Sequence, residues 1–312
     1  MSQNNSDDRL LVILGPTASG KSSLALYLAG HLNGEIITAD SMQVYRGMDI
    51  GTAKPTKEEQ ERVPHHLIDI YDITERVDVF SYVALAEKAV ADIRSRGKLP
   101  ILAGGTGMYI RAFLYGLDPM PSDRTLRDKL DELYDNDDGY ELLKKIMQER
   151  DPVDYERWHM HRRKLIRALE VFELTGRSIT ELQKTWDFQL RMPAVVWNLV
   201  WDRAELRNRI FERTGHMLKA GWIDEAREMI ESSVFDTPTA HQVLGYKFIG
   251  QYLDGAISYE EMEKQIATKT WQLARRQITW FKTKHPEAEI INMPADYSEL
   301  LAKLSDQLHI SG

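Results

Sequence analysis

The chain has 312 residues, 43% of them hydrophobic and 28% charged, enough apolar side chains to build the core of one large domain or two. The 40 basic and 48 acidic residues leave a net charge of −8, so a global basic signal for nucleic acid is absent and any such site must be a local patch. No cysteine is present, which excludes disulfides, thiolate zinc sites and a cysteine nucleophile.

Met1 to Arg9 is polar and acidic, unlike a secretory signal, and is expected to be a disordered N-terminus. Leu10 to Leu14 is an apolar run far short of the ~20 residues a membrane helix needs, so the expectation is a cytoplasmic protein with no membrane partner. That run, ending at Gly15, suits a strand buried on both faces of a parallel sheet. Lys21 to Leu32 reads as a helix with Leu24, Leu28 and Leu32 on one stripe, closed by Asn33-Gly34. Glu35 to Ala39 is a second strand, with Asp40 at its carboxyl end. Phe80 to Ser95 is a helix, Leu99 to Ala103 another buried strand, and Gly104-Gly105-Thr106-Gly107 follows it.

Beyond Pro121 the texture changes. Ser122 to Glu149 is charged and helical, broken at Asn136-Asp137-Asp138-Gly139, and helix continues over 157–185. Met192 to Trp201 is strand-like. Helices follow over Asp202 to Ser232, Gln242 to Leu253 and Tyr259 to Lys284, and Ile290 to Asn292 offers a last strand. The fold class expected is α/β: a P-loop NTPase-like parallel sheet flanked by helices, with a mainly helical insertion domain. The core would comprise residues 10–121 and 191–312, with the insertion, 122–190, over it.

Gly15-Pro16-Thr17-Ala18-Ser19-Gly20-Lys21-Ser22 matches the P-loop pattern G-x-x-x-x-G-K-[ST] between a buried strand and a helix. Its N–H groups and the helix N-terminus point at phosphate oxygens, Lys21 neutralises the terminal phosphates, and the Ser22 hydroxyl can ligate Mg²⁺. Most such loops bind ATP or another nucleotide, yet any diphosphate ester would fit. Asp40 lies at a strand's carboxyl end, where substrates of open parallel sheets bind. It reads equally as a general base or magnesium partner and as a helix N-cap. Four small residues at 104–107 mark close approach by a ligand or a helix, with Thr106 offering a hydroxyl.

The segment from Arg157 to Arg167 contains no acid, and Arg163 and Arg167 share one helix face. Such a face can hold nucleic-acid phosphates, or it can be a solvated face paired with Glu170 and Glu173. A second cluster, Arg275-Arg276 with Lys269, Lys282 and Lys284, has Trp271 and Trp280 interleaved; the pattern favours ordinary core and rim residues of an amphipathic helix.

Together, the P-loop at 15–22, Asp-Ser-Met-Gln-Val-Tyr-Arg-Gly-Met-Asp-Ile-Gly-Thr-Ala-Lys-Pro at 40–55 and Gly-Gly-Thr-Gly-Met-Tyr at 104–109 resemble the tRNA dimethylallyltransferases, or tRNA isopentenyltransferases. Arg-Ala-Leu-Glu-Val at 167–171, Gly245-Tyr246-Lys247 and Ala-Arg-Arg-Gln-Ile-Thr-Trp-Phe at 274–281 extend the resemblance from about residue 10 to 285. It implies transfer of a dimethylallyl group from dimethylallyl diphosphate to N6 of adenosine 37 of tRNA, with Mg²⁺ assisting. The P-loop would hold the diphosphate leaving group, and Arg213 would face it. Asp40 would take the proton from N6. Ser41, Met42 and Gln43 would line the pocket for the extruded base. Thr106 would sit between diphosphate and tRNA, and Asp128 and the segment Arg163, Lys164, Leu165, Ile166, Arg167 would contact tRNA.

The sequence departs from the family pattern before the Arg-Ala-Leu-Glu block. His161, Arg163 and Lys164 stand where Asp, then Gln or Lys, then Arg are usual, which keeps the last two charges and changes the first. The resemblance further implies the bacterial-type short form, without a zinc-finger extension, acting as a monomer with no stable protein partner. Three other readings compete on the motifs: a small-molecule or nucleotide kinase, an adenylate isopentenyltransferase acting on free adenine nucleotide, and a non-catalytic RNA-binding module. The kinase leaves 40–55 and the basic helix unexplained, the free-nucleotide enzyme needs no large insertion, and the binding module gives Asp40 no task.

Overall fold

Strands buried on both faces read as continuous apolar runs, and two such runs, at 11–14 and 99–104, lie at the centre of a sheet of six strands. The six are β1 (Leu11–Leu14), β2 (Gly34–Ala39), β3 (His65–His66), β4 (Leu99–Gly104), β5 (Val195–Val200) and β6 (Glu289–Asn292), in the spatial order β3-β2-β4-β1-β5-β6. Every neighbouring pair is parallel. This parallel α/β architecture is the expected class. The computed structural model describes residues 10–75, 77–118, 120–183, 189–232 and 243–308; the expected disorder of 1–9 and the helix start at Gln242 lie outside them.

Register decides what the sheet presents. Leu14 and Ala39 both align with Gly104, and Leu14 also with Asn198. With strands about 4.8 Å apart, β1, β4 and β2 deliver Gly15, Gly105 and Asp40 side by side at one edge. Gly104 has no alternative there: a Cβ on it would lie 2.1 Å from the Ala39 carbonyl oxygen.

The chain divides into two compact units, Met1–Leu114 with Leu190–Gly312, and Tyr115–Gln189. In the α/β unit, α1 (Lys21–His31), α2 (Lys57–Arg62), α3 (Val79–Ser95) and α4 (Gly107–Tyr115) precede β5. α10 (Arg203–Met217), α11 (Ile223–Glu231), α12 (Tyr246–Leu253), α13 (Tyr259–Lys284) and α14 (Tyr297–Gln307) follow it. One core cluster joins Leu11, Ile13, Leu24, Leu28, Ile101, Trp197, Leu199 and Leu304, and a second joins Val44, Met48, Trp222, Tyr246, Ile249 and Ile266.

The helical unit holds α5 (Arg124–Tyr134), α6 (Asp137–Arg150), α7 (Pro152–Trp158), α8 (Arg162–Thr175) and α9 (Ile179–Leu182) around Leu130, Leu143, Met147, Leu165, Ile166 and Leu169. Its buried Glu170 accepts from Ser122 Oγ (2.9 Å), the Asp123 amide (3.1 Å), Arg127 Nε (2.7 Å) and Arg167 Nη1 (2.5 Å).

Several boundaries differ from the periodicity reading. The helix expected over 157–185 breaks at His159–His161 and again at Gly176, whose φ of 67° closes α8 in the left-handed region. Asp202 to Ser232 is interrupted by a π turn, Leu218–Trp222, where Gly221 has φ 104°. α2 and α14 lay unmarked, although Thr56 and Glu59 form a capping box and Asp296 caps α14.

Glu35, 1% exposed at the amino end of β2, is the charge that most needs explaining. It accepts from Arg96 Nη2 (2.7 Å) and Lys98 Nζ (2.7 Å) and pairs with His66 Nε2 (2.7 Å). Arg96 first, then Lys98 and His66, hold its carboxyl far below the ordinary value of 4.5, against the opposing push of burial. A depressed carboxylate pKa stabilises above the unfolded-state value and is lost as pH falls. Glu35→Gln is expected to cost about 3 kcal/mol in urea unfolding at pH 7, as for a broken buried pair. The gap to the wild type narrows as pH drops below 4.5.

Candidate active site

The P-loop is bent so that its carbonyls and amides face opposite ways. Ala18 (φ 63°) and Gly20 (φ 89°) take left-handed conformations between β1 and α1. The outward carbonyls find donors: Pro16 O from Lys21 Nζ (2.7 Å), Ala18 O from Arg209 Nε (3.1 Å) and Ser19 O from Trp201 Nε1 (2.9 Å). The amides of Ala18, Gly20, Lys21 and Ser22 meet no acceptor among the described residues, the arrangement that cradles an anion.

α10 begins where Asp202 caps the Ala204 amide (2.8 Å), and its four-residue repeat aims Arg209 and Arg213 at the loop. Arg213 Nη1 donates to Thr17 Oγ1 (3.1 Å), and the Arg209 guanidinium stacks 4.2 Å over the Trp201 ring. Burial first, then the charge of Arg213, push the Lys21 ammonium down to about 7, with Asp40 opposing both. Burial also lowers the Arg213 guanidinium, with Asp40 opposing.

Two connected chambers open at this edge. One, about 480 Å³, is polar and lies over Thr17 to Ser22, with Gln43, Lys54, Arg209 and His216 around it. The other, about 510 Å³, is walled by Met42, Met108, Met217, Trp222, Leu273 and Trp280. Thr17, Asp40, Arg213 and Gln277 line both, so the carboxylate and the guanidinium stand at the junction.

Gln277 of α13 spans the junction. Its Oε1 accepts from the Thr17 amide (2.8 Å) and its Nε2 donates to Gly105 O (2.9 Å). Thr106 ties two strand ends together, its amide donating to Ala39 O (3.1 Å) and its Oγ1 accepting from the Ser41 amide (2.9 Å). No helix begins after Asp40; it closes the turn at 41–44 instead. Its Oδ1 accepts from the amides of Met42 (2.9 Å) and Gln43 (3.4 Å), while Oδ2 makes no hydrogen bond to a described residue.

Comparison with known proteins now decides the family. The IPP transferase family model matches residues 43–284. The tRNA dimethylallyltransferase of Geobacillus kaustophilus is 40% identical over 282 residues, 89% of each chain. The tRNA dimethylallyltransferase 1 of Trichlorobacter lovleyi is 43% identical over 279 residues, 88% of this chain and 91% of that one. The chain belongs to the IPP transferase family. Among solved structures, the tRNA isopentenylpyrophosphate transferase of Staphylococcus epidermidis superposes with a TM-score of 0.71 at 34% identity, covering 96% of this chain and 98% of that one. A eukaryotic dimethylallyltransferase acting on tRNA gives 0.77 at 27% identity, covering 96% of this chain and 77% of that one.

Within this IPP transferase the expected site residues separate into groups. Thr17, Ala18, Ser19, Gly20, Lys21, Ser22, Asp40, Ser41, Met42, Gln43, Thr106 and Arg213 all line the two chambers. Gly15 and Pro16 are buried beneath the loop and shape it rather than line it. Gln43 lines the polar chamber rather than the apolar one, and its Nε2 is committed to Thr52 O (3.0 Å) and Ala53 O (3.1 Å).

Asp128, Arg163, Lys164, Leu165, Ile166 and Arg167 belong to the helical unit. Leu165 and Ile166 are fully buried in its core, and Arg167 is held by Glu170 and by Met120 O (3.2 Å). Asp128, Arg163 and Lys164 are exposed; Lys164 lies 4.2 Å over the Trp158 ring, which Arg157 also faces at 4.7 Å. The close approach expected at 104–107 is protein: Ala39 against Gly104, Gln277 against Gly105, and Trp280 against Gly107, where a Cβ would meet the indole at 2.3 Å. Trp280, expected as a core or rim residue, lines the apolar chamber together with Arg276. Gln277, Arg209 and Trp201 went unassigned; the i, i+4 spacing of Arg209 and Arg213 was the available signal.

Arg213→Ala is expected to weaken inorganic pyrophosphate binding tenfold or more, from the ~1.5–3 kcal/mol of a charge-assisted hydrogen bond. Isothermal titration at fixed salt measures it; an unchanged Kd would remove Arg213 from the anion site.

Proposed function

We propose that the chain transfers a dimethylallyl group from dimethylallyl diphosphate to N6 of adenosine 37 of tRNA, releasing diphosphate. One observation carries the reading: an anion cradle and an apolar chamber meet at a carboxylate, Asp40, flanked by Arg213. The tRNA dimethylallyltransferase names of the relatives support it.

The diphosphate lies on the free amides of the P-loop, and the tail of the donor lies among Met42, Met217, Trp222 and Leu273. The reacting carbon is then at the junction. Its bond to oxygen breaks as the N6–carbon bond forms; the departing charge is met by Lys21, Arg213 and the loop amides. The proton leaving N6 goes to Asp40 Oδ2, while Oδ1 keeps the turn at Met42 and Gln43 closed. No trio of His, Asp or Glu among the described residues is arranged to hold a metal. Mg²⁺ nevertheless fits the donors present, because it binds through few protein oxygens, here the exposed Ser22 hydroxyl, with phosphate oxygens and water completing its shell. Bound there, it would neutralise charge on the leaving diphosphate.

The exposed cations of the helical unit, Arg163 and Lys164, are the proposed phosphate contacts of tRNA. No helix among the described residues is long and apolar enough to cross a membrane. We place the enzyme in the cytoplasm, where unmodified tRNA is found, as a monomer.

The deciding assay combines purified protein, Mg²⁺, labelled dimethylallyl diphosphate and either unmodified tRNA or free AMP. Label in tRNA is expected; label in AMP alone would replace the reading with that of a free-nucleotide enzyme. Asp40→Asn preserves the Oδ1 acceptor and removes the base, so tRNA and pyrophosphate binding should persist while single-turnover transfer falls by about 10²–10⁴-fold. A wild-type rate would remove Asp40 from the proton transfer. Arg163→Ala should lower the slope of log affinity for tRNA against log salt by about 0.7. Arg167→Ala should instead lower the unfolding midpoint, because it strips a partner from buried Glu170.

A further inference from the structure

Glu225, near the start of α11, stands outside both chambers, yet it makes more hydrogen bonds to backbone than any group in them. Its Oε2 accepts from the amides of Asp49 (2.8 Å) and Ile50 (2.7 Å), and its Oε1 from the amide of Gly51 (2.9 Å) and the Tyr246 hydroxyl (2.6 Å). Three consecutive amides converging on one carboxylate fix the path of a loop that has no regular secondary structure of its own. Burial and the charge of Glu225 push the Tyr246 hydroxyl far up, so it remains a donor.

The loop so held leads on to the catalytic edge. The carbonyls of Thr52 and Ala53, directly after Gly51, accept from Gln43 Nε2, and the Gln43 amide in turn donates to Asp40 Oδ1. Gly51 is pressed against the same wall: a Cβ there would meet Trp222 Nε1 at 2.4 Å and Tyr246 at 2.8 Å. Trp222 belongs to the π turn that separates α10, carrying Arg213, from α11, carrying Glu225. One rigid path therefore runs from α11 through the 49–53 loop and the Gln43 side chain to the carboxylate at the junction.

We propose that Glu225 is a positioning residue for prenyl transfer, setting the orientation of Asp40 through the 49–53 loop and Gln43. The proposal rests on Asp40 being the base, as argued above. It separates two properties of the site, because the P-loop, Lys21 and Arg213 make none of these contacts. Binding of the diphosphate should survive when the path is cut, and the rate of transfer should not.

The test is a double-mutant cycle of Glu225→Gln and Gln43→Leu, reading kcat and the Kd for inorganic pyrophosphate. Glu225→Gln places an amide donor against backbone N–H groups. Its expected effect is a kcat loss of about 10–100-fold, the scale of a small misplacement of a reacting group, with the pyrophosphate Kd unchanged. The double variant is expected to be no slower than the slower single one, since both cut the same path. Losses that multiply, a wild-type kcat for Glu225→Gln, or a pyrophosphate Kd that rises in step with the kcat loss would each overturn the proposal. Should Glu225→Gln fail to fold, Tyr246→Phe removes one donor from the carboxylate and carries the same expectations at smaller size; a wild-type kcat there overturns it equally. Rates are read on whichever acceptor the wild type prenylates, so a substrate other than tRNA leaves the test standing. If Asp40→Asn runs at the wild-type rate, the failure is that of Asp40 as base, whatever Glu225→Gln shows.

Discussion

A loop that turns its amides toward an anion must turn its carbonyls away, and each of those carbonyls needs a donor. Much of the α/β unit follows from meeting that requirement. Trp201, just past β5, serves Ser19; Arg209, two turns into α10, serves Ala18; Lys21 reaches back to Pro16. Once Arg209 is so placed, the helical repeat brings Arg213 to Thr17 without further design. One donor that holds the loop open, Arg209, and the guanidinium that reaches Thr17, Arg213, thus stand on successive turns of one helix.

The same economy holds at the neighbouring strand ends. Parallel pairing with Leu14, Ala39 and Gly104 in register sets three loops beside one another, and the close packing leaves space for glycine alone at 104. Thr106 and Gln277 then stitch those loops with single hydrogen bonds, so a shift at one is felt at the others. At this junction Asp40 holds its own turn with one carboxylate oxygen, Oδ1, and leaves the other without a hydrogen bond to a described residue. Glu225 extends this logic outward by fixing the segment that fixes Gln43.

The helical unit illustrates why a motif and a contact are different things. Arg167 and Glu170 both belong to the Arg-Ala-Leu-Glu block, and their visible partnership is with each other and with Arg127 and Ser122 inside the unit. A basic stretch on a helix necessarily spreads around the whole circumference, so some of its members face inward. Arg163 and Lys164 are exposed, whereas Leu165 and Ile166 close the core.

Local chemistry was written openly in the chain. The apolar run at 10–14, the glycine spacing of 15–22 and the Leu24–Leu28–Leu32 stripe identify strand, phosphate loop and helix because each depends on neighbours in sequence. Thr56 with Glu59 is equally legible as a capping box, because it too depends only on neighbours in sequence. Asp40 could be assigned to the sheet edge, but not between cap and base, because that choice depends on which oxygen meets which partner. Gln277, Arg276 and Trp280 lie some 260 residues from the P-loop amide that Gln277 accepts, on a helix whose periodicity marks an inner face without saying what it faces. Sequence determined that a loop of the P-loop pattern and an acid share one edge of a parallel sheet. Tertiary packing alone decided that an apolar chamber adjoins them, and that Glu225 accepts from the amides of Asp49, Ile50 and Gly51, since both rest on contacts between segments the chain order keeps far apart.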